Sequence, residues 1–263
     1  MVYRNICCVC IAILILVGCA TQPNHVIQVN HQLRIVNAKP LTAAEKEQLM
    51  QKAKNYTGLI TLYKRQLRDK KSNSVRFKLA HTYYLSGDCN SALFQLRYLR
   101  KHSRPESRIY YLSAQCLYQQ GKLAQALRQV KLAIGRDPQM AQAYNLLGII
   151  NAYMDDFISA QRAFNQARIL MYSDEKVLNN LAVIDIYQHH YQAAIDKLMP
   201  LYRNGQAGPE IRANLLFALA KNQQFELFKE VLGRGQAEHA KSIYQQLQTL
   251  HQKGLQSDEK SES

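Results

Sequence analysis

The sequence predicts an all-α protein: a superhelix of antiparallel helix pairs, with capping helices at its N- and C-terminal ends. Two observations predict it. Small residues recur at Ala80, Ala114, Gly148 and Ala182, each 34 positions after the last, and a second set at Ala92, Ala126, Ala160 and Ala194 keeps the same step. Beyond Pro40, no segment shows the alternation of a strand. The recurrence has a physical reason. Two helices cross closely only where small side chains let the backbones approach, and Leu79, Leu96, Val130, Leu147, Phe164, Leu181 and Leu198 then fill the flanks. One such pair cannot bury both of its faces, so neighbouring pairs stack.

The elements follow in chain order. Met1-Val2-Tyr3-Arg4-Asn5 precedes an uncharged apolar stretch from Ile6 to Val17. That length suits a signal-peptide h-region and falls short of the roughly 20 residues needed to span a bilayer. The stretch ends in Leu16-Val17-Gly18-Cys19, followed by Ala20. These residues resemble the lipobox of bacterial lipoproteins. The resemblance implies that 1–18 is a signal peptide, that Cys19 is acylated after cleavage, and that Ala20 directs the protein to the outer membrane. Residues 19–40 carry Pro23 and Pro40 without helical periodicity and read as an extended tether. An N-terminal helical cap occupies 41–72, opened by Thr42 as N-cap with Glu45 completing a capping box. Leu59 to Tyr63 belong to a helix that covers the first repeat. Four repeats follow, at 73–106, 107–140, 141–174 and 175–208. A third register position holds Ala133 and Ala167 in the inner repeats but Leu99 and Leu201 in the outer ones. Turns fall at Ser86-Gly87-Asp88, Gln120-Gly121-Lys122, Asp155-Asp156 and His189-His190, so the third and fourth lack glycine. Residues 209–251 form a degenerate fifth repeat, with Phe228 at the small crossing position, and a final amphipathic helix from about Gln236 to His251. Residues 252–263 are a polar tail.

The chain of 263 residues carries 34 Lys and Arg against 19 Asp and Glu, a net charge of +15. The periplasmic body that the lipobox resemblance implies removes the nucleic-acid reading that such a charge invites. The excess clusters: between Glu45 and Arg108 there are 15 basic and 5 acidic residues. Lys64, Arg65, Arg68, Lys70, Lys71, Arg97, Arg100, Lys101 and Arg104 make a candidate basic patch. It would meet anionic lipid head groups or an acidic partner segment, or serve only as a solvated surface. With Cys7, Cys8 and Cys10 in the signal and Cys19 acylated, Cys89 and Cys116 remain. They either pair in an oxidising compartment or lie as buried thiols.

No catalytic constellation is present: no nucleophile elbow, no phosphate-binding glycine loop, no zinc-protease helix. His189-His190 is a poor metal site, because adjacent helical residues face apart and no third ligand accompanies them. Asp155-Asp156 reads as helix-capping rather than as an acid–base pair. The chain is expected to be a non-enzyme, without cofactor or metal.

Tyr144-Asn145-Leu146-Leu147-Gly148, with Ala160, Phe164 and Ala167, resembles the tetratricopeptide repeat. Arg76 and Leu178 depart from its aromatic position. The resemblance covers 73–208 and implies a concave protein-binding face lined by the first helix of each unit. Carried over by position, that face comprises Phe77, His81 and Tyr84; Arg108, Tyr111, Gln115 and Tyr118; Asn145, Ile149 and Tyr153; and Asn179, Val183 and Tyr187. Tyrosine offers rigid aromatic area, and side-chain amides satisfy peptide groups, although some of the tyrosines are expected to pack between repeats. With 16 Tyr and no Trp, aromatic recognition falls to tyrosine.

The lipobox, the run Leu62-Tyr63-Lys64-Arg65-Gln66-Leu67, and the stretches Val177-Leu178-Asn179-Asn180-Leu181-Ala182, Leu198-Met199-Pro200-Leu201 and Ile211-Arg212-Ala213-Asn214-Leu215 together resemble the TadD-type lipoproteins of the Tad/Flp pilus secretion system. That resemblance implies an outer-membrane-anchored, periplasm-facing scaffold for pilus assembly, with protein partners such as a secretin and no nucleic acid. The alternatives are a pilotin-like lipoprotein of type IV pili, whose repeats follow the lipid cysteine after a shorter leader, or an adaptor for cell-wall enzymes or a peptidase.

Overall fold

A computed structural model describes residues 41–103 and 106–250. Cys19, the signal peptide, the tether, Arg104 and the tail from residue 251 lie outside the described residues. The chain is all-helical: α1 (Ala43–Lys52), α2 (Tyr56–Asp69), α3 (Asn73–Leu85), α4 (Cys89–His102), α5 (Ser107–Gln119), α6 (Leu123–Arg136), α7 (Ala141–Tyr153), α8 (Phe157–Ile169), α9 (Asp174–Tyr187), α10 (Tyr191–Arg203), α11 (Pro209–Lys221), α12 (Phe225–Leu232) and α13 (Ala240–Thr249). No strand occurs among the described residues.

The helix starts follow capping chemistry. Thr42 and Glu45 form a reciprocal capping box: the Thr42 amide donates to Glu45 Oε2 at 2.7 Å and the Glu45 amide to Thr42 Oγ1 at 3.2 Å. Asn55, Ser72, Asp88, Asp156 and Ser173 cap α2, α3, α4, α8 and α9. From α3 onward the helices pair as α3/α4, α5/α6, α7/α8, α9/α10 and α11/α12, and each pair packs on the next.

The small-residue register sits where the helices cross. Ala80, Ala92, Ala114, Ala126, Ala160, Ala182 and Ala194 are all fully buried. At Gly148 the approach is closest, because a Cβ there would lie 2.6 Å from the Phe164 ring. The position sixteen residues after each small residue compensates in size. Ala80 packs in one cluster with Leu96, Ala114 with Val130, and Ala182 with Leu198. Only Gly148 faces a phenylalanine. Small and large trade volume at constant register, as dense packing requires.

The inter-helix turns repeat with the same fidelity. Gly87, Gly121, Asp155, His189 and Gln223, spaced by 34, all adopt left-handed backbone, with φ of 84°, 71°, 59°, 61° and 59°. Each is followed by the same long bond: Asp88 N to Tyr83 O, Lys122 N to Leu117 O, Asp156 N to Asn151 O, His190 N to Asp185 O, and Gln224 N to Leu219 O. This is the Schellman closure. The missing glycines at the third and fourth turns leave the geometry intact; non-glycine residues hold the left-handed position instead. Asp155 takes that position, so of the two aspartates only Asp156 caps a helix, accepting from the Ser159 amide at 3.0 Å.

Both ends are covered. Leu59 and Tyr63 of α2 join Leu79 and Tyr83 in one core cluster. The α1 segment is held by Glu47, whose Oε1 accepts from the Tyr63 hydroxyl and Lys78 Nζ, each at 2.8 Å. At the other end Phe228 is fully buried against Phe225 and Tyr244. The final helix begins at Ala240, not near Gln236. Gly233 at φ 87° breaks the chain, and a 3₁₀ turn spans Arg234–His239 with Gln236 off the helical region.

Candidate functional site: the concave face

The first helices α3, α5, α7, α9 and α11 each approach their counterpart in the next pair, while the second helices hold no comparable row of close approaches among the described residues. A stack whose inner helices are closer together than its outer ones curves toward the inner row. That row is the concave face, and the side chains along it meet across repeats.

At the N-terminal end the Arg108 guanidinium lies 4.6 Å over the Phe77 ring. Gln115 Nε2 donates to the Tyr84 hydroxyl at 3.3 Å, and His81 stacks on Tyr84 at 6.3 Å. Tyr111 follows, half-buried; burial pushes its phenol up to about 12, with Tyr172 and Tyr84 adding to the shift. Tyr118 meets Tyr153 edge-to-face at 5.3 Å, and Tyr187 stacks against Phe157 at 6.5 Å. Ile149 and Val183 are half-buried on α7 and α9.

The asparagines form a ladder. Asn180 Nδ2 donates to Asn145 Oδ1 at 2.9 Å, and Asn214 Nδ2 to Asn179 Oδ1 at 2.8 Å. This corrects one expectation. Asn145 is 8% exposed and its carbonyl is taken by the next unit, so it props α7 against α9 instead of standing open to a ligand. Asn179 likewise gives its carbonyl to the ladder and keeps its amide hydrogens. Asn180 and Asn214 were missed as partners. Their signal was present, since 145 to 180 and 179 to 214 share a spacing of 35.

The family described as "Anaphase-promoting complex, cyclosome, subunit 3" matches residues 52–150, under half of the chain. Solved structures superpose over more of it. An APC/C hetero-tetramer shares 13% identity at a TM-score of 0.63; the match covers 78% of this chain and 41% of that one. A thermophilic TPR protein of Thermus thermophilus shares 19% at 0.55, covering 66% and 95%. Pseudomonas aeruginosa pilF shares 16% at 0.59, covering 77% and 88%. The fold is the tetratricopeptide-repeat superhelix. Its helix pairs stack as in that fold, and the described concave residues lie on the first helices of the pairs.

Away from the concave face, the structure divides the basic residues. Lys64, Arg65, Arg68, Lys70 and Lys71 are exposed along and just beyond α2. Arg97, Arg100 and Lys101 belong to α4, and Arg100 Nη1 donates to Gln129 of α6 at 2.9 Å. Cys89 and Cys116 are free thiols buried in the cluster beneath the first two tetratricopeptide units. Burial pushes both thiols up, and Cys89 Sγ donates to Gln119 Oε1 at 3.0 Å. His189 sits in its left-handed turn with Nδ1 2.8 Å from the Tyr191 hydroxyl, and His190 opens α10. Among the described residues no three His, Cys, Asp or Glu side chains converge as metal ligands.

Proposed function

We propose that this protein is an outer-membrane-anchored periplasmic scaffold that captures a segment of a partner protein on its concave face during assembly of the Tad/Flp pilus machinery, with a pilotin-like role toward the secretin. The observation that carries the binding part is the cross-repeat row from Phe77 to Tyr187. Half-buried aromatic rings held by neighbouring helices give contact area at low entropic cost, and the remaining amide hydrogens of Asn179 offer donors for a peptide backbone. Anchoring rests on Leu16 to Cys19, because several acyl chains on one cysteine hold firmly where a single chain does not. The Tad assignment rests on the lipobox and the asparagine-leucine runs around Asn179 and Asn214. The structural neighbours, all below 20% identity, support the fold in any of these settings and do not separate them.

The test has two arms. Cys19→Ala should move the protein from the membrane to the soluble fraction; retention in the membrane defeats the anchor. Tyr111→Ala with Tyr118→Ala should abolish co-purification of the secretin subunit while far-UV circular dichroism stays unchanged. Undiminished co-purification places the site elsewhere.

A further inference from the structure

The outer layer of the superhelix carries a second concavity. Between α4 and α6 lies a cleft of about 260 Å³, with Ser113 and Leu117 of α5 among its lining residues. Arg97 and Arg100 line it from α4, and Lys122 and Arg128 from the α6 side, and no carboxylate lines it. The sequence explains why. From Cys89 to Arg136 there are nine Lys and Arg residues against a single acid, Glu106. Glu106 is already paired with Arg108 at 2.6 Å. Among the described residues none of the four cleft cations is in an ion pair. A cleft lined by one sign of charge focuses its field and draws an opposite charge.

We propose that this cleft is a second binding site, for a carboxylate-rich peptide segment of a partner protein. The guanidinium forks of Arg97 and Arg128 suit carboxylate geometry. Arg100 is braced by Gln129 across the cleft, which fixes the separation of its walls. The remaining lining favours a peptide over a simple anion. Asn90, Gln120 and Gln125 supply amides, and the Gln120 Oε1 acceptor is buried without a donor while its Nε2 is held by Asn90 Oδ1 at 3.0 Å. A phosphodiester brings only acceptors to such a wall. A peptide brings an amide N–H beside its carboxylates. Leu93 and Leu117 receive the aliphatic stem of a glutamate. The cleft lies between the second helices α4 and α6, with α5 contributing Ser113 and Leu117, and uses none of the concave residues, so this site stands or falls independently of the concave reading.

The experiment measures fluorescence anisotropy of a labelled Glu-Ala repeat peptide against the purified full chain, with a matched Gln-Ala peptide as control. The Glu-Ala peptide should bind, weaken as salt rises, and lose about tenfold or more in affinity with Arg97→Glu plus Arg128→Glu. Lys101→Glu plus Lys131→Glu makes the same charge change on the same helices outside the cleft and should cost less than about threefold. Tyr111→Ala with Tyr118→Ala should leave this binding intact. If charge reversal unfolds the chain, Arg97→Gln plus Arg128→Gln carries the same comparison. Equal losses from the two charge-reversed pairs overturn the site, as does failure of the Glu-Ala peptide to bind. Binding of phosphatidylglycerol vesicles through Arg97 and Arg128 without peptide binding makes the cleft a lipid contact and also overturns the proposal.

Discussion

Replacing Gly148 with alanine would place a methyl group 2.6 Å from two carbons of the Phe164 ring, a separation that real side chains do not adopt. Phe164 is fully buried, so the ring cannot swing into solvent to make room. Two effects oppose each other. Alanine in a helix interior gains about 1 kcal/mol over glycine, and overpacking a dense core costs about 1–3 kcal/mol. The single variant should therefore lose roughly 0–2 kcal/mol, a range too wide to be decisive alone. The decisive quantity is the coupling. Phe164→Leu by itself should cost roughly 1 kcal/mol through the cavity it leaves. Combined with Gly148→Ala it recreates the pair that the protein already uses at Ala80–Leu96 and Ala182–Leu198. The double variant should then be more stable than the sum of the singles by about 1–3 kcal/mol, read from urea unfolding followed by circular dichroism. Additivity within about 0.5 kcal/mol would refute the volume trade between these positions.

Other consequences follow from the caps, turns and thiols. Gln223→Gly should raise stability by about 1 kcal/mol, because a non-glycine left-handed residue costs roughly 1–2 kcal/mol while glycine's gain is trimmed by its looser unfolded chain; a lowered melting temperature would contradict the turn geometry. Glu47 has its pKa held below 4.5: burial opposes ionisation, but the bonds from Lys78 and Tyr63 outweigh it. Its contribution is therefore present above the unfolded value and disappears as pH falls through the lower folded one. Glu47→Gln should flatten the loss of stability on acidification below the ordinary carboxylate range, and an unchanged profile would sever Glu47 from the α1 clamp. Cys89 and Cys116 should react with a thiol reagent only as fast as the chain opens; rapid modification of native protein would show them accessible.

The periodic part of this fold was legible because its cause is local and repeated. A small residue at a crossing, a turn of fixed geometry and an amphipathic face each leave a mark every 34 residues, and four marks in register outweigh the faults in any one. The exceptions have identifiable reasons. The turn at Asp155 looked weaker than those at Gly87 and Gly121, yet hydrogen bonds from flanking helices hold its backbone in the same place. The last helix could not be dated to Ala240 from amphipathicity alone, because the pattern continues through residues that Gly233 diverts from the helix. Within the concave face, position told which helix faces inward but not which polar groups are already engaged. Asn145 and Asn179 each give their carbonyl to an asparagine of the next unit, and only the packing around them separates the two: Asn145 is buried and Asn179 half-buried. The α4–α6 cleft was half visible: Arg97 and Arg100 were read as one patch with the α2 lysines, and only the helix stack brings Lys122 and Arg128 to them from residues more than twenty positions away.

The five left-handed turns are alike in shape but unlike in substance. Glycine holds the first two, and Asp155, His189 and Gln223 hold the rest. In a quasi-one-dimensional array, a boundary between ordered and open units moves toward the side where each unit costs less to open. The non-glycine left-handed turns all lie in the C-terminal part of the array, so thermal agitation should peel it from that end while the N-terminal units stay wound. Amide protection should be lowest in α11 and α12 and rise toward α3. The protein would then behave as a spring stiff at one end and soft at the other, its C-terminal repeats sampling looser windings while the glycine-turned units keep their shape.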